Sequence, residues 1–185
     1  MSDLKRYEIR LAGSGGQGLI LGGIILAEAA SIYEGLNVVQ TQSYGPEARG
    51  GASRAEVIIT NGEIHYPKVT RPDILMALAQ EAYNKYSSDL KDDSMLIVDS
   101  DLVEVNDSRV ANVYRIPITR TARESTGKEI TANIVGLGVL VGLSGVVSRE
   151  AVIQAVLARV PAGMEDLNRK ALQAGFDLAQ AANHS

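Results

Sequence analysis

Hydrophobic side chains at the start of the chain follow first the period of a strand and then that of a helix. Residues 7–12 have an apolar or aromatic side chain at every second position, which predicts a short strand. Residues 19–34 are apolar on almost every side, and a helix of this kind must be covered by other elements. Residues 37–41 predict a second strand. The strand–helix–strand unit is typical of an α/β fold with a mainly parallel sheet.

The middle of the chain predicts more strands, one of them antiparallel to its neighbour. Residues 52–60 predict a strand, and Asn61-Gly62 after it is a strong signal for a hairpin turn. Residues 63–66 are therefore expected to return antiparallel beside that strand, which would make the sheet mixed. Residues 95–99 and 112–116 predict further strands. Residues 74–79 fit either a strand or a helix, and we favour a strand that leads into a helix over residues 80–90.

The last third of the chain predicts three helices, over residues 131–144, 149–160 and 165–182. Ser148 is placed to cap the second of them, and Pro161 is placed to end it. No repeat, low-complexity tract or long linker divides the sequence, so we expect residues 1–185 to form a single domain. The pattern as a whole predicts an α/β fold with a mixed, mostly parallel sheet and a helical C-terminal region.

Composition narrows the classes of function. The chain has 18 Lys and Arg against 22 Asp and Glu, and this net charge of −4 argues against a general nucleic-acid binder. It has no cysteine, which excludes disulfides, thiolate nucleophiles and iron–sulfur clusters held by this chain. The apolar runs over residues 19–30 and 132–147 are shorter than the ~20 residues that span a bilayer. With no apolar stretch at its N-terminus, the chain is expected to be cytoplasmic and to have no membrane segment.

The first predicted strand leads into a glycine-rich loop, Gly13-Ser14-Gly15-Gly16-Gln17-Gly18, and then into the first helix. Glycines let the backbone approach an anion, and a helix N-terminus offers free N–H groups and a positive dipole. NAD binding is disfavoured, because the second strand ends without an acidic residue for the ribose hydroxyls. A P-loop is excluded, because Leu19 and Ile20 stand where Lys and Ser or Thr are needed. The alternative is a tight turn with no ligand.

A second candidate segment, Ser43-Tyr44-Gly45-Pro46-Glu47-Ala48-Arg49-Gly50-Gly51, directly follows the second strand. The first two strands of a parallel α/β sheet end at the same edge, where such folds bind ligands. Arg49 could present its guanidinium to a phosphate, and Glu47 could orient it. The alternative is an ordinary surface loop, whose exposed ion pair contributes little to stability.

Three smaller features have more than one interpretation. His65 could relay a proton, but a histidine at a strand end is more often only part of the packing. Asp99-Ser100-Asp101 follows a strand, and turn chemistry explains it better than a functional site does. Gly138 and Gly142 give one helix a face of small residues, which fits either packing within the chain or a contact with another subunit.

Further motifs follow the two candidate segments in order. They are Leu26-Ala27-Glu28-Ala29-Ala30, Ala55-Glu56-Val57-Ile58-Ile59, Tyr66-Pro67, Pro72-Asp73, Gln80-Glu81-Ala82, and Asn133 with Leu137-Gly138, before the terminal helix. Together with the glycine-rich loop and segment 43–51, this series resembles the gamma subunit of 2-oxoacid:ferredoxin oxidoreductases over nearly the whole chain. Gln80-Glu81-Ala82 with Lys85-Tyr86 is most similar to the 2-oxoglutarate branch of that family.

The resemblance implies a fold, an activity and a set of partners. The fold is a three-layer α/β/α sandwich. The activity is oxidative decarboxylation of a 2-oxoacid, with 2-oxoglutarate as the first expectation, to an acyl-CoA, CO2 and reduced ferredoxin. Thiamine diphosphate, Mg2+ and [4Fe-4S] clusters would lie on partner alpha and beta subunits, with or without a delta subunit. The chain would work as part of a hetero-oligomer, and it could form a homodimer when isolated.

The resemblance also implies that this chain helps to bind coenzyme A as a co-substrate. The residues concerned are Gly13, Ser14, Gly15, Gly16, Gln17, Gly18, Tyr44, Glu47, Arg49, Gly50 and Gly51. No residue is assigned a catalytic or metal-binding role, so we expect the chain to be inactive alone. Two alternatives stay open: a member of the family that acts on pyruvate, a branched-chain oxoacid or indolepyruvate, and a non-catalytic nucleotide- or CoA-binding module.

Overall fold

The computed structural model describes residues 5–44, 51–106 and 108–184, which form six strands and six helices. The strands are β1 (Arg6–Ser14), β2 (Asn37–Ser43), β3 (Ala52–Thr60), β4 (Ile74–Ala77), β5 (Met95–Asp99) and β6 (Asn112–Ile116). The helices are α1 (Leu19–Glu28), α2 (Gln80–Tyr86), α3 (Ile118–Thr126), α4 (Ala132–Ser144), α5 (Arg149–Arg159) and α6 (Glu165–Asn183). A π-helical turn, Ala29–Tyr33, continues α1, and a 3-10 turn, Glu129–Thr131, precedes α4.

The strands form one mixed sheet in the order β2-β3-β1-β4-β5-β6. β3 runs antiparallel to β1 and β2, whereas β1, β4, β5 and β6 pair in parallel, so the predicted mixed, mostly parallel sheet is confirmed. The predicted hairpin is wrong, because residues 63–66 form no strand. β1 and β2 occupy both sides of β3 and leave no edge for a returning strand. Glu63, His65 and Tyr66 are also exposed, so that segment has no apolar face to bury.

Each face of the sheet buries its own apolar core, and this confirms the three-layer α/β/α arrangement. On one face, Ile9 and Leu11 of β1 pack with side chains of α1 and of α3 to α6. On the other face, Leu75 and Leu96 pack with α2 and with loop residues. The two helical layers differ in size, because α1 and α3 to α6 cover the first face, whereas α2 is the helix that covers the second face among the described residues.

Helix α3 was not predicted, because the sequence has no local capping residue at its start. Its N-cap residue, Pro117, has no side-chain acceptor to offer. The carboxylate of Asp99, fully buried at the end of β5, instead accepts a hydrogen bond of 2.7 Å from the Thr119 N–H. The other carboxylate oxygen accepts from the Asp101 N–H at 3.0 Å, which confirms the turn chemistry predicted there. The cap comes from a distant strand, so no local pattern marks the start of α3.

Helices α4 and α6 are in contact through glycines. A Cβ atom at Gly138 would lie 2.5 Å from the carbonyl oxygen of Leu172 and 3.0 Å from the Cα of Gly175. A Cβ atom at Gly142 would lie 2.6 Å from the Cβ of Ala179. The small-residue face of α4 therefore packs within the chain, which decides between the two interpretations of Gly138 and Gly142.

Candidate functional site

The carboxyl ends of β1 and β2 lie at the same edge of the sheet, on either side of the start of β3. Ser14, the last residue of β1, pairs with Ala52, and Ser43, the last residue of β2, pairs with Arg54. The glycine-rich loop and the segment after β2 therefore leave the sheet side by side, as the sequence predicted. This is the edge at which open α/β sheets place their ligands.

The side chain of Gln17 holds the glycine-rich loop in shape. Its Oε1 accepts a hydrogen bond of 2.8 Å from the Ser14 N–H, and its Nε2 donates one of 3.0 Å to the carbonyl of Leu78, just after β4. A Cβ atom at Gly13 would lie 2.5 Å from the same Oε1, so a side chain there would displace the amide of Gln17 from this position. Gln17 is thus occupied within the fold, and its contribution is the conformation of the loop.

The tip of the loop presents free backbone N–H groups. Gly16 and Gly18 have φ of 92° and 75°, a left-handed conformation that glycine adopts without strain. Neither amide N–H has a hydrogen-bond acceptor among the described residues, and Gly18, the N-cap residue of α1, provides no side-chain cap. The carbonyl of Gly18 accepts a hydrogen bond of 3.2 Å from Asn133 of α4, which anchors the loop. Free N–H groups at the positive end of a helix dipole can bind an anion.

A cleft of about 190 Å³ opens beside Gly16, and one residue of its lining, Thr119, was missed by sequence reasoning. The cleft is lined by Gly16, Gln17, Thr119, Glu129, Ile130 and Ala132. The Thr119 hydroxyl has no hydrogen-bond partner within the described part of the chain. Such a group is costly to bury, and its oxygen has almost no surface that a molecule in the cleft could reach. No sequence signal pointed to Thr119, because α3 itself was not predicted.

A larger cleft, of about 510 Å³, lies on the α2 side of the same sheet edge. It is lined by Arg10, Ser43, Tyr44, Arg54, Lys85, Tyr86, Ser88 and Asp89. Arg10 donates hydrogen bonds to Glu56 at 2.8 Å and to both carboxylate oxygens of Asp89 at 2.6 and 3.0 Å. Burial lowers the pKa of Arg10, but its bonds to Asp89 and Glu56 raise it by more, so the net shift is upward. Its charge is therefore fixed and neutralised within the fold.

The remaining predicted site residues are only partly described. Tyr44 is exposed and lines the larger cleft, away from the tip of the glycine-rich loop. Gly51 is buried, and its carbonyl accepts a hydrogen bond of 3.0 Å from the Gly15 N–H. Glu47, Arg49 and Gly50 lie outside the described residues, so their contacts stay a prediction.

His65 lies apart from these clefts. Its side chain is 85% exposed and 3.4 Å from an equally exposed Glu63, an arrangement that gives no support to a proton relay. Across residues 5–44, 51–106 and 108–184, no group of three or more His, Asp or Glu side chains is placed to hold a metal ion. None of the helices in those ranges is long and apolar enough to cross a membrane.

Comparison with known proteins shows which family this chain belongs to. Residues 8–178 match the family of pyruvate ferredoxin/flavodoxin oxidoreductases. The 2-oxoglutarate synthase subunit KorC of Methanothermobacter marburgensis is 54% identical over 179 residues, which cover 94% of this chain and 96% of that protein. The ketoisovalerate oxidoreductase subunit VorA of Methanothermobacter thermautotrophicus is 33% identical, and the match covers 96% of this chain and 37% of that protein.

Solved structures agree with the sequence matches. The gamma subunit of a keto/oxoacid ferredoxin oxidoreductase from Geobacter sulfurreducens is 55% identical, with a TM-score of 0.86 and coverage of 96% of this chain and 98% of that one. The 2-oxoglutarate:ferredoxin oxidoreductase from Magnetococcus marinus, solved with 2-oxoglutarate, coenzyme A and succinyl-CoA bound, is 26% identical with a TM-score of 0.84. That match covers 96% of this chain and 31% of the longer one.

A mixed sheet with a glycine-rich loop at its edge, matched over nearly its whole length by these proteins, defines the class. The chain belongs to the family of pyruvate ferredoxin/flavodoxin oxidoreductases. Within that family it is a gamma subunit of the 2-oxoglutarate branch, since it is 54% identical to KorC but 33% identical to VorA. It is thus a subunit of an oxidoreductase complex, which excludes the alternative of a binding module unconnected with catalysis.

Proposed function

We propose that this chain contributes to the coenzyme A site of a 2-oxoglutarate:ferredoxin oxidoreductase. The complete reaction converts 2-oxoglutarate, coenzyme A and oxidised ferredoxin into succinyl-CoA, CO2 and reduced ferredoxin. The similarity to KorC supports the choice of oxoacid. The observation that carries the proposal is the tip of the glycine-rich loop, where the N–H groups of Gly16 and Gly18 have no acceptor within the described residues at the uncapped start of α1.

The loop would bind the pyrophosphate of coenzyme A. Gly16 and Gly18 would donate their N–H groups to its oxygens, and the dipole of α1 would favour its negative charge. Gly13 and Gln17 would keep the loop in the required conformation. From the resemblance stated above, we extend the proposal to Arg49 as a second phosphate contact, with Glu47 orienting it.

The chemical steps would belong to partner chains. Thiamine diphosphate with Mg2+ supplies the decarboxylation of the oxoacid when it is bound, and [4Fe-4S] clusters carry the electrons to ferredoxin. This chain has no cysteine to ligate such a cluster. In VorA and in the Magnetococcus marinus protein, the matched segment is 37% and 31% of a longer chain. This supports the proposal that here the same unit docks onto separate alpha and beta subunits, with or without a delta subunit.

A matched pair of glycine substitutions tests the role of the loop in the assembled complex. Gly16→Val would crowd the N–H groups that face the pyrophosphate and would strain a residue with φ of 92°. Gly35→Val is the control, because Gly35 also has positive φ (68°) and open space around it but lies before β2, at the opposite end of that strand from the site.

Gly16→Val should raise the Michaelis constant for coenzyme A by about 10- to 150-fold, which corresponds to the loss of roughly 1.5–3 kcal/mol from a hydrogen bond to a charged group. Oxoacid-dependent CO2 exchange, which needs no coenzyme A, should be retained, and Gly35→Val should change neither half-reaction. Arg49→Ala should act in the same direction, with partial recovery in Arg49→Lys. Equal loss in both half-reactions of an intact Gly16→Val complex would exclude the coenzyme A role.

A further inference from the structure

The outermost strand β2 lies at an edge of the sheet that nothing protects from pairing. Its one neighbour among the described strands is β3. An exposed edge is a template for another strand, and folded proteins usually protect it with charged side chains, proline or a very short strand. β2 has none of these protections, because its seven residues, Asn37–Ser43, include neither a charged side chain nor a proline.

The opposite edge of the sheet, formed by β6, is protected in each of these ways. β6 has five residues, its Arg115 is exposed and charged, and Pro117 follows directly after its last residue. This difference between the two edges indicates that β2 is the edge left free to pair.

The hydrogen bonds of the inner strands identify which backbone groups of β2 face outward. On the β4 side of β1, the carbonyl of Ala12 accepts a hydrogen bond of 3.0 Å from the Leu78 N–H. Backbone groups alternate sides along a strand, so the odd-numbered residues of β1 face β3 and pair there with odd-numbered residues. The even-numbered residues of β3 then face β2 and pair with its odd-numbered residues. Val38, Gln40 and Gln42 therefore direct their N–H and C=O groups away from the sheet.

These outward groups have no partner within the described part of the chain. Neither the N–H nor the carbonyl of Val38, Gln40 or Gln42 forms a hydrogen bond there. Exposed apolar side chains lie on the π-helical turn that contacts β2, where Ile32 is 67% and Tyr33 is 37% exposed. Free backbone groups next to uncovered apolar surface are typical of an interface.

We propose that β2 pairs with β2 of a second copy of this chain, antiparallel about a two-fold axis at Gln40, and so joins two six-stranded sheets into one. In this register Gln40 faces Gln40 of the other copy, and Val38 faces Gln42. Each of these pairs exchanges both of its N–H and C=O hydrogen bonds, so every outward group is satisfied.

The side chains of β2 favour a second copy as the occupant of this edge. They are uncharged, so no like charges meet across the axis although the chain as a whole has a net charge of −4. A carboxamide has both a donor and an acceptor, so two opposed Gln40 side chains complement each other. Within one chain the Gln40 amide makes only long contacts, of 3.3 Å with the Thr41 carbonyl and 3.4 Å with Gln42.

The size of the contact determines its strength. Seven residues at about 3.4 Å each make a strand about 24 Å long, and a contact about 10 Å wide covers about 240 Å² on each copy. Stable interfaces bury about 800 Å² per partner, so even with Ile32 and Tyr33 included we expect a reversible dimer with a micromolar Kd. Antiparallel pairing places the glycine-rich loops of the two copies at opposite ends of the joined sheet, so both candidate sites stay open.

Sedimentation velocity of the isolated full chain, between about 1 and 500 µM, measures this equilibrium. Gln40→Lys and Gln40→Glu should each weaken self-association by about 3- to 10-fold, because like charges then meet across the axis. A mixture of these two variants should associate at least as tightly as the native chain, since each copy then faces an opposite charge. Asn112→Lys adds the same charge to an exposed position of β6, and this matched control should change nothing.

A proline at the same position tests the backbone hydrogen bonds. Gln40→Pro removes an N–H that the fold does not use, so thermal unfolding should show a folded chain while self-association weakens by about 10- to 100-fold. Val39→Pro removes an N–H that faces β3 and should instead lower the Tm.

Three results would overturn the proposal. The first is a native chain that is monomeric at every concentration, and if Gln40→Pro then prevents assembly of the complex, the edge belongs to a partner subunit. The second is a dimer that the Gln40 variants leave unchanged, which would place the interface elsewhere. The third is a mixture of Gln40→Lys and Gln40→Glu that associates no better than either variant alone, which would exclude the two-fold pairing at Gln40.

Discussion

Replacing Gly138 by alanine tests the glycine contact between α4 and α6. The new Cβ atom would lie 2.5 Å from the Leu172 carbonyl oxygen, about 0.9 Å short of an ordinary contact, which begins near 3.4 Å. The neighbouring atoms of Leu172, Gly175 and Phe176 all belong to the backbone of α6. Because these atoms cannot turn aside as the end of a side chain can, the two helices must separate.

The cost of that separation can be estimated from packing. If the helices move 0.5–1 Å apart, each dispersion contact between α4 and α6 loses about a quarter to a half of its energy. Overpacked cores typically lose about 1–3 kcal/mol of stability. Alanine has a helix propensity about 1 kcal/mol better than glycine, which offsets part of this loss. We therefore expect Gly138→Ala to lower the free energy of unfolding by up to about 2 kcal/mol, and the Tm by up to about 8 °C for a chain of this size.

Two further glycine-to-alanine variants make the comparison internal to one protein. At Gly22 in α1 the new Cβ atom would meet only Leu11 Cδ1 at 3.5 Å, so the helix propensity should raise stability by up to about 1 kcal/mol. At Gly136 it would meet Met76 Sδ at 2.9 Å, and this flexible side chain can move, so the change should be close to neutral. Urea and thermal unfolding of the full chain measure all three.

The expected order of stability is Gly22→Ala, then Gly136→Ala, then Gly138→Ala. Gly138→Ala being as stable as the native chain would refute the argument that backbone contacts set the distance between α4 and α6. Unchanged stability together with weakened assembly of the complex would instead return the small-residue face of α4 to a subunit interface.

The remaining predictions concern Thr119 and a surface ion pair. Thr119→Val removes a buried hydroxyl that has no partner within the described residues, so stability should be unchanged or slightly higher. Urea unfolding measures the change, and a clear loss of stability would contradict the argument. The hydrogen bond from Arg159 lowers the pKa of Glu28. At pH values above 4.5 this surface pair therefore adds slightly to the stability of the chain, and the effect is lost as the pH falls through the lowered pKa. Glu28→Gln should therefore be slightly less stable than the native chain near neutral pH and converge with it in acid, and urea unfolding between pH 3 and 7 measures both regimes.

Local sequence patterns were sufficient wherever neighbouring residues decide the structure. The predicted strands at residues 95–99 and 112–116 match β5 and β6 residue for residue. Ser148 caps α5 as predicted, its hydroxyl accepting a hydrogen bond of 3.1 Å from the Ala151 N–H. The glycine-rich loop was also placed correctly between β1 and α1, because glycine spacing and the adjacent apolar runs are local signals.

Tertiary contacts decided the features that the sequence did not reveal. The strand expected after Asn61-Gly62 is absent because β1 and β2 already flank β3, and strand pairing depends on distant partners. The start of α3 depends on a carboxylate from β5, and with α3 comes the Thr119 hydroxyl. Lys85-Tyr86 was visible in the sequence as a feature of the 2-oxoglutarate branch, but its contact with Arg54 was not. Residues far apart in sequence meet only when the chain folds, so no periodicity or spacing encodes their distance.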